Sequence, residues 1–187
     1  MGAESKTVNI GVVTGRVYVG GGEYKVGSVI NELLSILGSK RLPFQRQNRK
    51  ATAEVVKKIN HNRLNEKRHI VSQYLEYSSR IEEAYLEIDS MVAFGKDTIL
   101  SNLNGLYVEG LNRFGIDCLC QDVDIERVRE NADALIVFII ERLRDLVMDS
   151  ARPPEFMEFV EIGVNVVVAH AFIECIVMEN PEIVTFS

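Results

Sequence analysis

Four side chains in this 187-residue sequence could hold a metal ion: Cys118 and Cys120 close together, then His170 and Cys175 far along the chain. Thiolates and imidazoles are the ordinary ligands of tetrahedral zinc, and a connector folded over the last helix would bring all four together. Two features weigh against this. Structural sites favour Cys-x2-Cys over Cys-x-Cys. The step from His170 to Cys175 in a continuous helix also turns the two side chains through about 500°, away from a common face. Small buried thiols and one satisfied histidine are therefore expected, with no cofactor.

Nucleophilic catalysis has as little support. A cysteine nucleophile needs His61, His69 or His170 beside it, and no local sequence has the form of a nucleophile elbow or a protease signature. His61 and His69 lie among positive charges, which favour the neutral imidazole. Gly20, Gly21 and Gly22 lack the Gly-Lys-Ser/Thr that completes a phosphate cradle, so they read as a tight turn. The expectation is a protein that is not an enzyme.

The strongest functional signal is charge. Residues 39–69 carry ten lysines and arginines against Glu54 and Glu66, in a chain whose net charge is −6. Lys40, Arg41, Arg46, Arg49 and Lys50 lie on an expected loop around Pro43, with Gln45, Gln47 and Asn48 between them. Lys57, Lys58, Arg63, Lys67 and Arg68 continue the charge along an expected helix that begins near Thr52. Such a segment can contact phosphates without reading bases, or dock an acidic protein partner. It can also be solvated, or pair with the acids of its own chain. All three readings stay open.

These residues must be positioned by a mainly α fold. The period-2 pattern of the first residues predicts strands over 8–13, 16–19 and near 24–26. Ser28 then caps a short amphipathic helix that Gly38 stops. One long helix is expected over 53–94, with Ile70, Tyr74, Tyr77, Ile81, Tyr85, Ile88 and Val92 on one face. Gly95 ends it, Asp97 caps the next helix, and Gly115 closes that one. A helix over 124–148 follows, then a last helix opened by Pro153 and Pro154 and running to Asn180. The whole reads as a multi-helix bundle with a small N-terminal β-hairpin element: residues 1–27 form the β element, and 28–187 the bundle that carries the basic segment.

The apolar run from Ile162 to Met178 falls just short of a membrane span and contains Asn165, His170 and Glu174, so a buried helix is expected there. Its apolar residues cover most of the circumference, which suggests burial by a second subunit and hence an oligomer or hetero-complex. An odd number of cysteines, with neither a basic start nor an apolar run in the first residues, points to reduced thiols in a cytoplasm.

Two stretches, Lys58 to Asp89 and Ala169 to Pro181, resemble the helical accessory components of bacterial ABC-three-component conflict systems, the group that includes the Lamassu anti-phage systems. The anchors are Asn62, Tyr85, Phe172 and Glu179, and the glycine-punctuated start "NIGVVTGRVYVGGGEY" is similar to short N-terminal segments of such proteins. The resemblance implies a non-catalytic adaptor that assembles with an SMC-like ATPase and an effector, often a nuclease, in a DNA-sensing complex. It transfers no catalytic residue, and this chain has neither an ATP-binding nor a nuclease motif. The rival expectation is a stand-alone nucleic-acid-binding regulator or toxin-neutralising protein that works through residues 39–69.

Overall fold

In a computed structural model, residues 17–19, 22–24, 27–39, 51–118 and 123–181 are described. The chain is mainly helical. Val17–Val19 (β1) pairs antiparallel with Gly22–Tyr24 (β2), Tyr18 opposite Glu23. The strand expected over 8–13 lies outside the described residues.

Helix α1, Val29–Ser39, starts where the Ser28 carbonyl accepts the Asn31 and Glu32 amides. Ile30, Leu33, Leu34, Ile36 and Leu37 form its buried face. Gly38 lies inside the helix instead of stopping it, and its value there is steric. A β-carbon at Gly38 would come within 2.7 Å of the Phe159 ring, so the missing side chain lets α1 approach the last helix.

The expected helix over 53–94 is two helices, α2 (Ala53–His61) and α3 (Arg68–Met91). Thr52 caps α2 by accepting the Val55 amide at 3.3 Å. Arg63, at φ +53°, turns the backbone left-handed, while the Leu64 amide closes on the Ile59 carbonyl. Helical spacing continues through this break, which is why periodicity alone runs the two helices together. Beyond it the stripe holds: Ile70, Tyr74, Ile81, Tyr85 and Ile88 are all buried.

Helix α4, Gly95–Arg113, begins after a second left-handed residue, Phe94 at φ +59°, so Gly95 opens this helix and Asp97 sits in its first turn instead of capping it. Gly115, at φ +68°, does close it as expected, with the Ile116 amide returning to Leu111. The expected helix over 124–148 also divides. Asp124 caps a short α5, Ile125–Glu130, and a turn at Asn131 leads into α6, Ala132–Met148.

The last helix, α7, is Met157–Ile173, shorter at both ends than the prolines and Asn180 suggest. It ends where the Glu174 amide bonds the His170 carbonyl, and Cys175 and Met178 take positive φ in the turns beyond. Ten of its residues are buried against α1, α3, α4 and α6 of the same chain. That packing supplies the cover for which a second subunit was inferred. No helix among the described residues is long and apolar enough to cross a membrane.

Candidate functional site

The α2–α3 turn is built by polar contacts that cross the chain. Asn62, fully buried, donates from Nδ2 to the Lys58 carbonyl at 3.1 Å and to the Glu179 carbonyl at 2.9 Å. Its Oδ1 accepts the Glu179 amide at 3.0 Å. Just past the left-handed Arg63, the Asp133 carboxylate of α6 accepts the Asn65 amide at 3.2 Å and the Lys67 amide at 2.8 Å. A side chain from another helix thus fixes the turn that leads into α3, whose own N-cap, Lys67, provides no side-chain bond.

This framework sorts the basic residues. Lys40, Arg41, Arg46, Arg49 and Lys50 lie outside the described residues. Lys57 and Arg68 are exposed, and Lys67 is half-buried. Arg63 pairs with Glu126 at 2.7 Å, and the same carboxylate takes Arg129 at 2.6 Å. The Arg129 and Arg63 hydrogen bonds hold the Glu126 carboxyl below the usual carboxylate range. Lys58 corrects the sequence reading most clearly. It is only 5% exposed, because its position on α2 aims it inward at the end of α7 and away from any external phosphate.

Of the four side chains weighed as metal ligands, Cys120 lies outside the described residues, Cys118 is half-buried after α4, and Cys175 is exposed. His170 is fully buried and faces α3: Nε2 is 3.1 Å from Glu82 Oε1, and Nδ1 is 3.4 Å from the Tyr85 hydroxyl. With α7 ending at Ile173, His170 stays in the core while Cys175 turns out at φ +59°. Among the described residues, no three His, Cys, Asp or Glu side chains form a metal-binding group.

The histidine cluster is a buried polar network. Burial lowers the His170 pKa, and although Glu82 and Glu174 pull the other way, the neutral ring prevails. Burial would raise Glu82, but bonds from Lys96 and His170 outweigh it and hold the carboxyl low. Tyr74, whose ring lies 5.6 Å from that of His170, is raised by burial to about 12, and burial raises Tyr85 further. A neutral imidazole between a phenol and a carboxylate, sealed from solvent on its own side chain, ties α3 to α7 and offers no open face to a substrate.

His61, by contrast, meets Arg129 at 3.1 Å across the α2–α5 boundary. Burial lowers its pKa first and the Arg129 charge second. The neighbouring Lys57 lowers it as well, as the positive charge around His61 predicts, while Glu179 opposes. Glu82, Glu126, Arg129 and Asp133 were missed altogether, since each acts on a residue more than sixty positions away. No local spacing signals such a pairing.

One further surface stands out where α3 meets α4. Phe94 is 76% exposed and Leu86 72%, with Met91 also exposed. Glu83, Asp89 and Asp97, also exposed, are close to them in sequence. The chain matches no family model, no curated protein and no solved structure.

Proposed function

We propose that this chain is a non-catalytic adaptor that works by assembling with other proteins. Phe94 carries the reading. A non-glycine residue in the left-handed region costs about 1 kcal/mol or more, and here the side chain so placed is a phenyl ring presented to water. Folding alone favours glycine at such a corner. A partner that buries Phe94 offsets the cost and makes the ring an anchor.

The identity of the partners rests on the resemblance of residues 58–89 and 169–181 to ABC-three-component accessory proteins. On that reading the adaptor joins an SMC-like ATPase and an effector nuclease in a cytoplasmic anti-phage defence complex. The N-terminal β-hairpin, residues 1–27, serves as a separate docking element, and the basic segment touches a partner or DNA.

The second reading is a nucleic-acid-binding regulator or toxin-neutralising protein that uses residues 39–69, and the exposed Lys57 and Arg68 favour it. The internal use of Lys58 and Arg63 reduces the charge available to it.

The test is affinity capture of tagged wild type and Phe94→Gly from the native host, at moderate and high salt, with and without nuclease. The glycine relieves the backbone and removes the ring. Loss of salt-resistant protein partners from a stably folded Phe94→Gly supports the adaptor. Full retention of those partners defeats it, and capture mainly of nucleic acid, lost on nuclease or salt, selects the second reading.

A further inference from the structure

Among the described lysines and arginines, only Lys58 is buried. Its ammonium donates to the Ile173 carbonyl at 3.0 Å and to Cys175 Sγ at 2.6 Å, and lies 5.3 Å from the centre of the Phe172 ring. No carboxylate among the described residues forms an ion pair with it. A buried cation without an anion is costly, and the sulfur is the side-chain atom that the ammonium touches. Cys175 is itself exposed, at the rim of a cavity of about 160 Å³ lined by Glu54, Lys57, Lys58, Ile173 and Asn180. A cation on one side of the sulfur and an opening fit for a small molecule on the other define a reactive pair.

We propose that Lys58 and Cys175 are a peroxide-responsive pair, in which a small hydroperoxide oxidises Cys175 and Lys58 then bonds covalently to its sulfur. The thiolate sulfur attacks one peroxide oxygen and the O–O bond breaks. With hydrogen peroxide, the departing hydroxide takes a proton from the Lys58 ammonium and leaves as water, so Cys175 is a sulfenic acid beside a neutral amine. The Nζ lone pair then attacks sulfur, the S–O bond breaks, and the second hydroxide leaves as water with a proton from the amine. Thiolate, ammonium and hydrogen peroxide thereby give a sulfenamide and two waters. A thiol reductant reverses it by forming a disulfide and releasing the amine.

The bond would staple α2 to the segment after α7, one turn from the Asn62–Glu179 contact. The basic segment leads directly into α2, so oxidation would fix the point at which that segment joins the bundle. None of this depends on which partners the chain has.

The whole chain, reduced and then treated with hydrogen peroxide, is digested without reductant and analysed by mass spectrometry. The expected product is a peptide containing Lys58 joined to one containing Cys175, lighter by two hydrogens than their sum. Dithiothreitol removes it, dimedone present during oxidation prevents it, and Cys175→Ser lacks it. It forms roughly tenfold more in native than in urea-unfolded protein, because the fold supplies the proximity. The proposal is overturned if Cys175 is recovered unmodified, as a dimedone adduct or as a sulfinic acid with no linked peptide, or if unfolded protein links as readily.

Discussion

Asn62 and Glu179, 117 residues apart, hold each other in both directions: the Asn62 amide donates to the Glu179 carbonyl and its oxygen accepts the Glu179 amide. One buried side chain thus satisfies two backbone groups in the segment after α7, and the carbonyl of Lys58 in its own helix as well. Replacement by alanine strands both Glu179 groups, while the Lys58 carbonyl still accepts the Asn62 backbone amide.

Asn62→Ala is expected to destabilise the protein by about 2–3 kcal/mol, the cost of leaving buried polar groups without partners. The urea midpoint measures it. A loss below about 0.5 kcal/mol, the scale of a surface substitution, would mean that the contact is not maintained in solution.

Asp133→Ala removes the acceptor for the Asn65 and Lys67 amides at the start of α3. The loss of two hydrogen bonds to a carboxylate in this turn costs about 1–2 kcal/mol. Amide exchange should speed up at Asn65 and Lys67 while the middle of α3 remains protected. Equal acceleration along all of α3 would contradict a local role.

The histidine network makes stability depend on pH. The folded pKa of His170 lies below its ordinary value of 6.5, so between the two values the unfolded chain binds more protons than the folded one. Stability is therefore complete above pH 6.5 and falls as pH drops through the folded value. Glu82, held below 4.5 in the fold, continues the loss at lower pH, and His61 acts in the same sense as His170. The groups facing His170 are Tyr74, Tyr85, Glu82, Glu174 and Lys96. Denaturation midpoints measured from pH 7.5 to 5 should fall for wild type and fall less for His170→Gln. Parallel curves would remove His170 from the account.

Gly163→Leu tests the contact between α1 and α7. Even a β-carbon at this position would come within 2.5 Å of Leu34 Cδ2, and Leu34 is fully buried. Overpacking at a helix contact typically costs about 1–3 kcal/mol. Thermal unfolding reads the result, and an unchanged midpoint would show that α1 can move aside.

Much of the bundle is legible in the sequence because burial follows helical spacing. The stripe from Ile70 to Ile88 and the Gly115 stop need only neighbouring residues to be recognised. The errors arise where distant groups decide. Nothing local in "HNRLNEKR" announces that Asp133 will accept two of its amides or that Arg63 will turn left-handed. Lys58 looks like its neighbour Lys57 until α7 is laid beside it. The buried circumference of α7 is legible as well, and α1, α3, α4 and α6 of the same chain pack against it. The basic residues 40–50 and Cys120 fall outside the described residues.

The contact between Asn62 and Glu179 also bears on how the protein is made. A growing chain emerges from the ribosome at about 5–20 residues per second, so α2 is synthesised many seconds before the residues that hold it. Until α7 and the turns after it emerge, Asn62 lacks Glu179, Lys58 lacks Ile173 and Tyr85 lacks His170. The nascent chain thus carries Lys57 and Lys58 on a helix that has not yet been fastened down.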